Sequence, residues 1–201
     1  MTIPRGVAPR FRLVLPILRI FVASLVFVAP AATPAPAFEF GKLFKRKNLE
    51  SREIGVDTGE AVRMLSDYRR KHGLGPVKLD PKLTRIAADH ALKMASANKV
   101  AHVLIGEGSF ARRLRVGGYD ASIASENIGA GYDSLAEAFA GWRKSRGHNK
   151  NLLTPEVTVI GIARADAPGS KYGTYWSLVL AHPYEPPVGG PSAEPPVIFG
   201  Q

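Results

Sequence analysis

The chain has 201 residues, 45% of them hydrophobic and 22% charged, with a formal net charge of +10 and no cysteine. That length fits one domain of ordinary size with terminal appendages, and that hydrophobic share excludes wholesale disorder. The missing cysteines exclude disulfides, thiolate catalysis, cysteine-ligated zinc and a lipid anchor on a processed N-terminal cysteine. Any metal is left to His, Asp, Glu, carbonyls or water.

The first 37 residues carry Arg5, Arg10, Arg12 and Arg19 and no acid; without them the net charge falls to +6. A mildly basic surface of that kind suits anionic envelope polymers or lipid headgroups. No dense basic run interleaved with aromatics follows, so nucleic acid is not an expected partner. Residues 1–37 read as an export signal, with an apolar core at 20–29 and a small-residue cleavage site, Ala35-Pro36-Ala37, before Phe38. An apolar core of about ten residues is short for a spanning helix. The expected location is therefore periplasmic or extracellular, the alternative being an uncleaved N-terminus that anchors the protein on the membrane. Residues 38–56 form a charged linker without helical or strand periodicity.

The domain is expected over 57–182. Asp57 or Thr58 caps a first helix in which Ala61, Val62, Leu65 and Tyr68 recur at helical spacing until Gly73. Asp80-Pro81 opens a second helix to about Lys99, with Leu83, Ile86, Ala87, Ala91 and Met94 as its apolar stripe. His90 falls on that stripe and reads as a packed core histidine, and His72 sits in a last helical turn, where its charge suits the dipole. His102 lies on a loop ahead of Gly106 and Gly108, where no structural duty accounts for it. Ser109 caps a short basic helix, 110–116. Glu126 follows in an extended stretch of small residues, and Asn127 is expected to hold a turn through its side chain. Asp133 or Ser134 caps a further helix that buries Leu135, Ala138, Phe139 and Trp142 and leaves Glu137 in solvent. Strands are expected at 157–165 and 175–181, joined through Pro168-Gly169-Ser170 as an antiparallel hairpin that holds Trp176 in the core. His182 reads as an exposed end residue, and the Pro- and Gly-rich stretch 183–201 as an unfolded tail.

The chemistry concentrates around one helix: Glu126 precedes it, His148 follows it, and both are set among glycines. The spacing lets the chain double back and bring the two to one cleft. Neither Ser125 nor Ser145 sits in a Gly-x-Ser-x-Gly elbow, and no zinc-protease helix, phosphate loop or dinucleotide fingerprint is present.

The ordered set Gly73-Leu74, Leu79-Asp80-Pro81, His90-Ala91, Ala101-His102, Gly118-Tyr119, Glu126-Asn127-Ile128-Gly129, Trp142, Gly147-His148, Asn151-Leu152-Leu153, Gly161-Ile162 and Tyr175-Trp176 resembles the CAP superfamily, or SCP domain. That family comprises cysteine-rich secretory proteins, antigen 5 and pathogenesis-related proteins. The cysteine-free form and the segment around Gly147-His148 resemble its bacterial branch. The resemblance spans about 62–181 and implies an α+β fold, an α-β-α sandwich with a small, largely antiparallel sheet between helices. It also implies a cleft of two histidines and two glutamates, onto which His102, His148 and Glu126 map. The second glutamate has no counterpart, for Arg143-Lys144-Ser145-Arg146 stand where it is expected, and Ser145 cannot supply its charge.

Two readings follow. In the favoured one the protein is an exported, non-enzymatic binding module for an envelope polymer, lipid or protein, with a cleft of His102, Glu126, His148, Ser145 and Asn127. In the alternative it is a metal-dependent hydrolase of an envelope or extracellular polymer, with His102 and His148 holding a divalent metal such as zinc and Glu126 as catalytic base.

Overall fold

The computed structural model of the chain describes residues 52–186. The expected export signal, most of the linker and the tail beyond 186 lie outside the described residues. Within them, the α+β sandwich is the observed architecture. Its sheet runs in the order β1-β4-β5-β3, formed by β1 (Arg52–Ile54), β4 (Val159–Asp166), β5 (Thr174–Pro183) and β3 (Ala121–Ala130). These neighbours are all antiparallel. The two-residue β2 (Lys78–Leu79) adds in parallel to the start of β4, whose far end holds β1 on the same edge.

Among the described residues five helices cover the faces: α1 (Thr58–Lys71), α2 (Pro81–Ala97), α3 (Phe110–Val116), α4 (Leu135–Lys144) and α5 (Arg146–Leu152). Their starts follow capping chemistry. The side chains of Asp57, Asp80, Ser109 and Ser134 each accept from a free N–H of the following turn, with Pro81 opening α2. Strand alternation then sorts the core into two layers. Ile160, Ile162, Trp176, Leu178 and Leu180 meet α1, α4 and Leu152 of α5 on one face. Ala124, Ala163, Val179 and Ala181 meet α2 and α3 on the other. At Gly161 the backbone of α2 lies directly on β4: a Cβ there would stand 2.1 Å from the Leu83 carbonyl carbon and 2.2 Å from Thr84 N.

Several local expectations are corrected. The last linker residues form β1, because their backbone pairs with Arg164–Asp166 whatever their side-chain pattern. Residues 146–152 are helical despite Gly147. Asn127 lies inside β3 and holds no turn. His182 belongs to β5, half-buried, with its Nδ1 2.9 Å from Thr158 Oγ1. The strand continues through Pro183, and Tyr184 N–H bonds the Asp120 carbonyl, so the expected tail begins later than 183.

Candidate functional site

β3 is an edge strand, and its alternation sends neighbouring residues to opposite layers. Glu126 points to the α2–α3 side and Asn127 to the α5 side. A cleft built on both therefore straddles the sheet edge.

On the first side Glu126, 1% exposed, is met by a guanidinium. Arg113 Nη1 donates to Oε1 at 2.7 Å and Nη2 to Oε2 at 2.9 Å. His102 Nδ1 stands 2.9 Å from Oε2, and Ser177 Oγ donates to Oε1 at 3.4 Å. A carboxylate can only accept, so His102 Nδ1 carries a proton directed at Oε2, and Nε2 stays outside this bond. Burial alone would push the Glu126 pKa up. Hydrogen bonds from His102 and Arg113, with the positive potential of His90 and Arg113, outweigh it and bring the value down to about 2.

Behind this pair lies a second acid. Glu107, on the loop before α3, sets Oε1 2.8 Å from His90 Nδ1 and 3.7 Å from Arg113 Nε. His90 Nε2 lies 3.7 Å from Glu126 Oε2, beyond hydrogen-bonding distance. His90 is thus a core histidine, as its stripe position implies, and also the bridge between two carboxylates. His90 Nε2, Glu107 Oε2 and Arg113 Nε are buried without a hydrogen-bond partner.

On the other side Asn127 Nδ2 donates to the His148 carbonyl at 3.1 Å, and Asn127 Oδ1 accepts from Asn151 Nδ2 at 2.9 Å. Tyr68 OH donates to Asn149 Oδ1 at 2.7 Å. Arg69, fully buried in α1, donates to the carbonyls of Gly75, Leu152, Thr154, Pro155 and Val157 and staples the end of α5 down. These bonds fix the helix that carries His148. Burial, then the charge of His102, lowers the pKa of the His148 ring and favours its uncharged form.

The structure therefore joins His102 to Glu126 on one side of β3 and the His148 backbone to Asn127 on the other. Ser145 sits half-buried at the α4–α5 junction and makes no side-chain cap bond to α5. Sequence reading missed Arg113 and Glu107. Phe110, Arg113 and Leu114 are the buried residues of α3, at positions i, i+3 and i+4, so an arginine on an apolar stripe was the available signal.

As a metal site the arrangement offers two imidazoles. Both oxygens of Glu126 are already taken, and among the described residues no group of three or more His, Asp or Glu is arranged to hold a metal ion. A structural zinc site closes with four protein ligands.

The sequence pattern of the cysteine-rich secretory protein family, CAP, matches residues 62–180. The uncharacterised membrane protein YlbC of Bacillus subtilis is 36% identical over 126 residues, which is 61% of this chain and 36% of that protein. The uncharacterised protein YkwD of the same organism is 29% identical over 118 residues, 59% of this chain and 44% of its own length. The match thus spans less than half the length of either relative. Among solved structures, an extracellular protein containing an SCP domain from Bacillus anthracis superposes with a TM-score of 0.55 at 25% identity. That match covers 62% of this chain and 39% of the other. An outer surface protein of Borrelia burgdorferi shares the fold, with a TM-score of 0.58 at 19% identity over 67% of this chain and 99% of its own.

Proposed function

The chain belongs to the cysteine-rich secretory protein (CAP) family, and from that premise we propose that it is an exported, non-enzymatic binding module. It takes a hydroxyl- and amide-rich polymer of the cell envelope at the edge cleft between His102 and His148. The observation that carries this reading is the state of Glu126. With Arg113 on both oxygens and a pKa of about 2, it has neither a free lone pair aimed at a water nor the basicity to take a proton near neutral pH. What remains to face a ligand is hydrogen-bonding: Nε2 of His102, and the His148 imidazole, whose uncharged form is favoured by its burial. The extracellular and membrane descriptions of the relatives agree with export.

The metal-dependent hydrolase keeps one supporting feature. A carboxylate that fixes Nδ1–H of an imidazole is the arrangement that orients metal-binding histidines, and it leaves His102 Nε2 as a donor atom. One experiment separates the two. The full chain, His102→Ala, His148→Ala and Glu126→Gln are sedimented with purified cell-wall polymer and with phosphatidylglycerol–phosphatidylethanolamine vesicles, with and without zinc, and the supernatants are assayed for released fragments. Binding to the wall polymer that both histidine variants lose, without fragment release, is the expected result. Zinc-dependent release abolished by Glu126→Gln would replace the proposal with the hydrolase. Histidine-dependent binding to vesicles alone would replace the polymer with a lipid.

A further inference from the structure

The stretch between Glu137 and Glu156 holds no acid and four cations, Arg143, Lys144, Arg146 and Lys150, all exposed. Arg143 and Lys144 close α4, and Arg146 and Lys150 stand at i and i+4 on α5, which puts them on one helical face. Among the described residues none of the four meets a carboxylate at ion-pair distance, whereas Arg63, Arg113 and Arg164 each do. Two acids on the flanking helices are engaged elsewhere: Glu137 accepts from the Asp133 N–H, and Asp67 pairs with Arg70. Like charges at i and i+4 repel, so the patch carries a local cost that a bound anion relieves.

The two halves of the patch are tied together. The Arg143 guanidinium lies over Tyr68 and Phe139, 5.5 and 5.4 Å from the ring centroids, and Tyr68 OH donates to Asn149 Oδ1 at 2.7 Å. One aromatic ring thus links the end of α4 to the middle of α5. A guanidinium stacked in this way is held in orientation, and its planar fork of donors matches an oxyanion. The large apolar side chains exposed in the described chain are Leu79, Val103, Ile105, Val116 and Tyr172, and none belongs to α1, α4 or α5. The patch therefore offers charge without an apolar anchor to insert between lipids, which suits a dissolved or wall-bound chain better than a bilayer.

We propose that the α4–α5 surface binds a linear polyanion, a chain with phosphate or carboxylate in its repeat. Arg146 and Lys150 meet anionic groups of that chain, and the stacked Arg143 holds another. The proposal does not depend on what the His102–His148 cleft binds.

The test is a calorimetric titration of the full chain with poly(glycerol phosphate) and with poly-L-glutamate, two arms that tell phosphate from carboxylate. Glycerol phosphate, phosphatidylglycerol vesicles and single-stranded DNA are run beside them. The expected result is saturable binding of at least one polymer, at least tenfold tighter than glycerol phosphate per anionic group and weakening with added salt as counterions compete. The double variant Arg146→Gln/Lys150→Gln should weaken it at least tenfold. Lys93→Gln/Arg115→Gln removes the same charge from exposed positions on α2 and α3 and should change affinity less than twofold. No saturable binding of either polymer, or an equal loss in the two double variants, would overturn the proposal. Tighter binding of the vesicles or of DNA than of both polymers would overturn it in favour of a bilayer or a nucleic acid.

Discussion

Arg113 and Glu126 meet side-on, two guanidinium nitrogens against two carboxylate oxygens at 2.7 and 2.9 Å, with the side chains 6% and 1% exposed. A pair so deep costs desolvation to assemble, and removing one partner leaves the other charged and dry. Arg113→Met should therefore destabilise the domain by about 3–5 kcal/mol, read as a lowered midpoint in urea denaturation. Arg113→Lys should recover only part of that loss, because one ammonium cannot reproduce the planar two-point contact. Wild-type stability in Arg113→Met would mean the pair contributes nothing net.

Acid should destabilise the protein in two stages. The folded-state pKa of Glu126 lies below its ordinary value of 4.5, at about 2. Its stabilisation is therefore complete above pH 4.5 and is lost as pH falls toward 2. His148 is also lowered from 6.5, by burial first and then by His102. Below pH 6.5 the unfolded chain takes up a proton that the folded ring resists, so stability falls there too. Calorimetric Tm measured from pH 7 to pH 3 should decline throughout, and His148→Gln should flatten the upper part of that decline while leaving the lower part.

Two glycines should respond in opposite directions. Gly161→Ala drives a methyl into the α2 backbone, where no rotamer change can relieve it, and should cost at least the roughly 1–3 kcal/mol typical of overpacking. Gly147 lies within α5 with no atom within 4 Å of a built Cβ. Gly147→Ala should raise stability by about 0.5–1 kcal/mol through helix propensity. Thermal denaturation of the two variants beside the parent checks both signs.

The layers of this fold were legible because caps and stripes speak directly. Asp57, Asp80, Ser109 and Ser134 sit where their helices begin, and Leu135, Ala138, Phe139 and Trp142 are all buried. The strands that escaped notice, β1 and β2, are short and held by pairing to β4, which leaves no side-chain period to read. α5 escaped because Gly147 and two asparagines oppose helix propensity, while bonds from Asn127, Tyr68 and Arg69 hold that segment from outside it.

At the site, the motif residues were legible but their roles were not. His102, Glu126 and His148 stand out by type and context, whereas the partner that sets the chemistry of Glu126 is an arginine on another helix. Arg113 and Arg69 share one trait: each occupies an apolar helical stripe, beside Phe110 and Leu114 in α3 and in line with Ala61 and Leu65 in α1. A buried arginine needs partners for its charge, and here each one is tied to an element distant in sequence. The missing acid near Ser145 likewise suggested an incomplete cleft, yet a second carboxylate, Glu107, reaches the network from the loop before α3.

The most direct test of the account is the titration of the Glu126 carboxyl, followed by carbon-13 NMR on the glutamate-labelled full chain with Glu126→Gln to assign the signal. A carboxylate held by Arg113 and His102 should stay ionised down to a midpoint near 2. A midpoint at or above the ordinary 4.5 would contradict that assignment and return Glu126 to the role of a base.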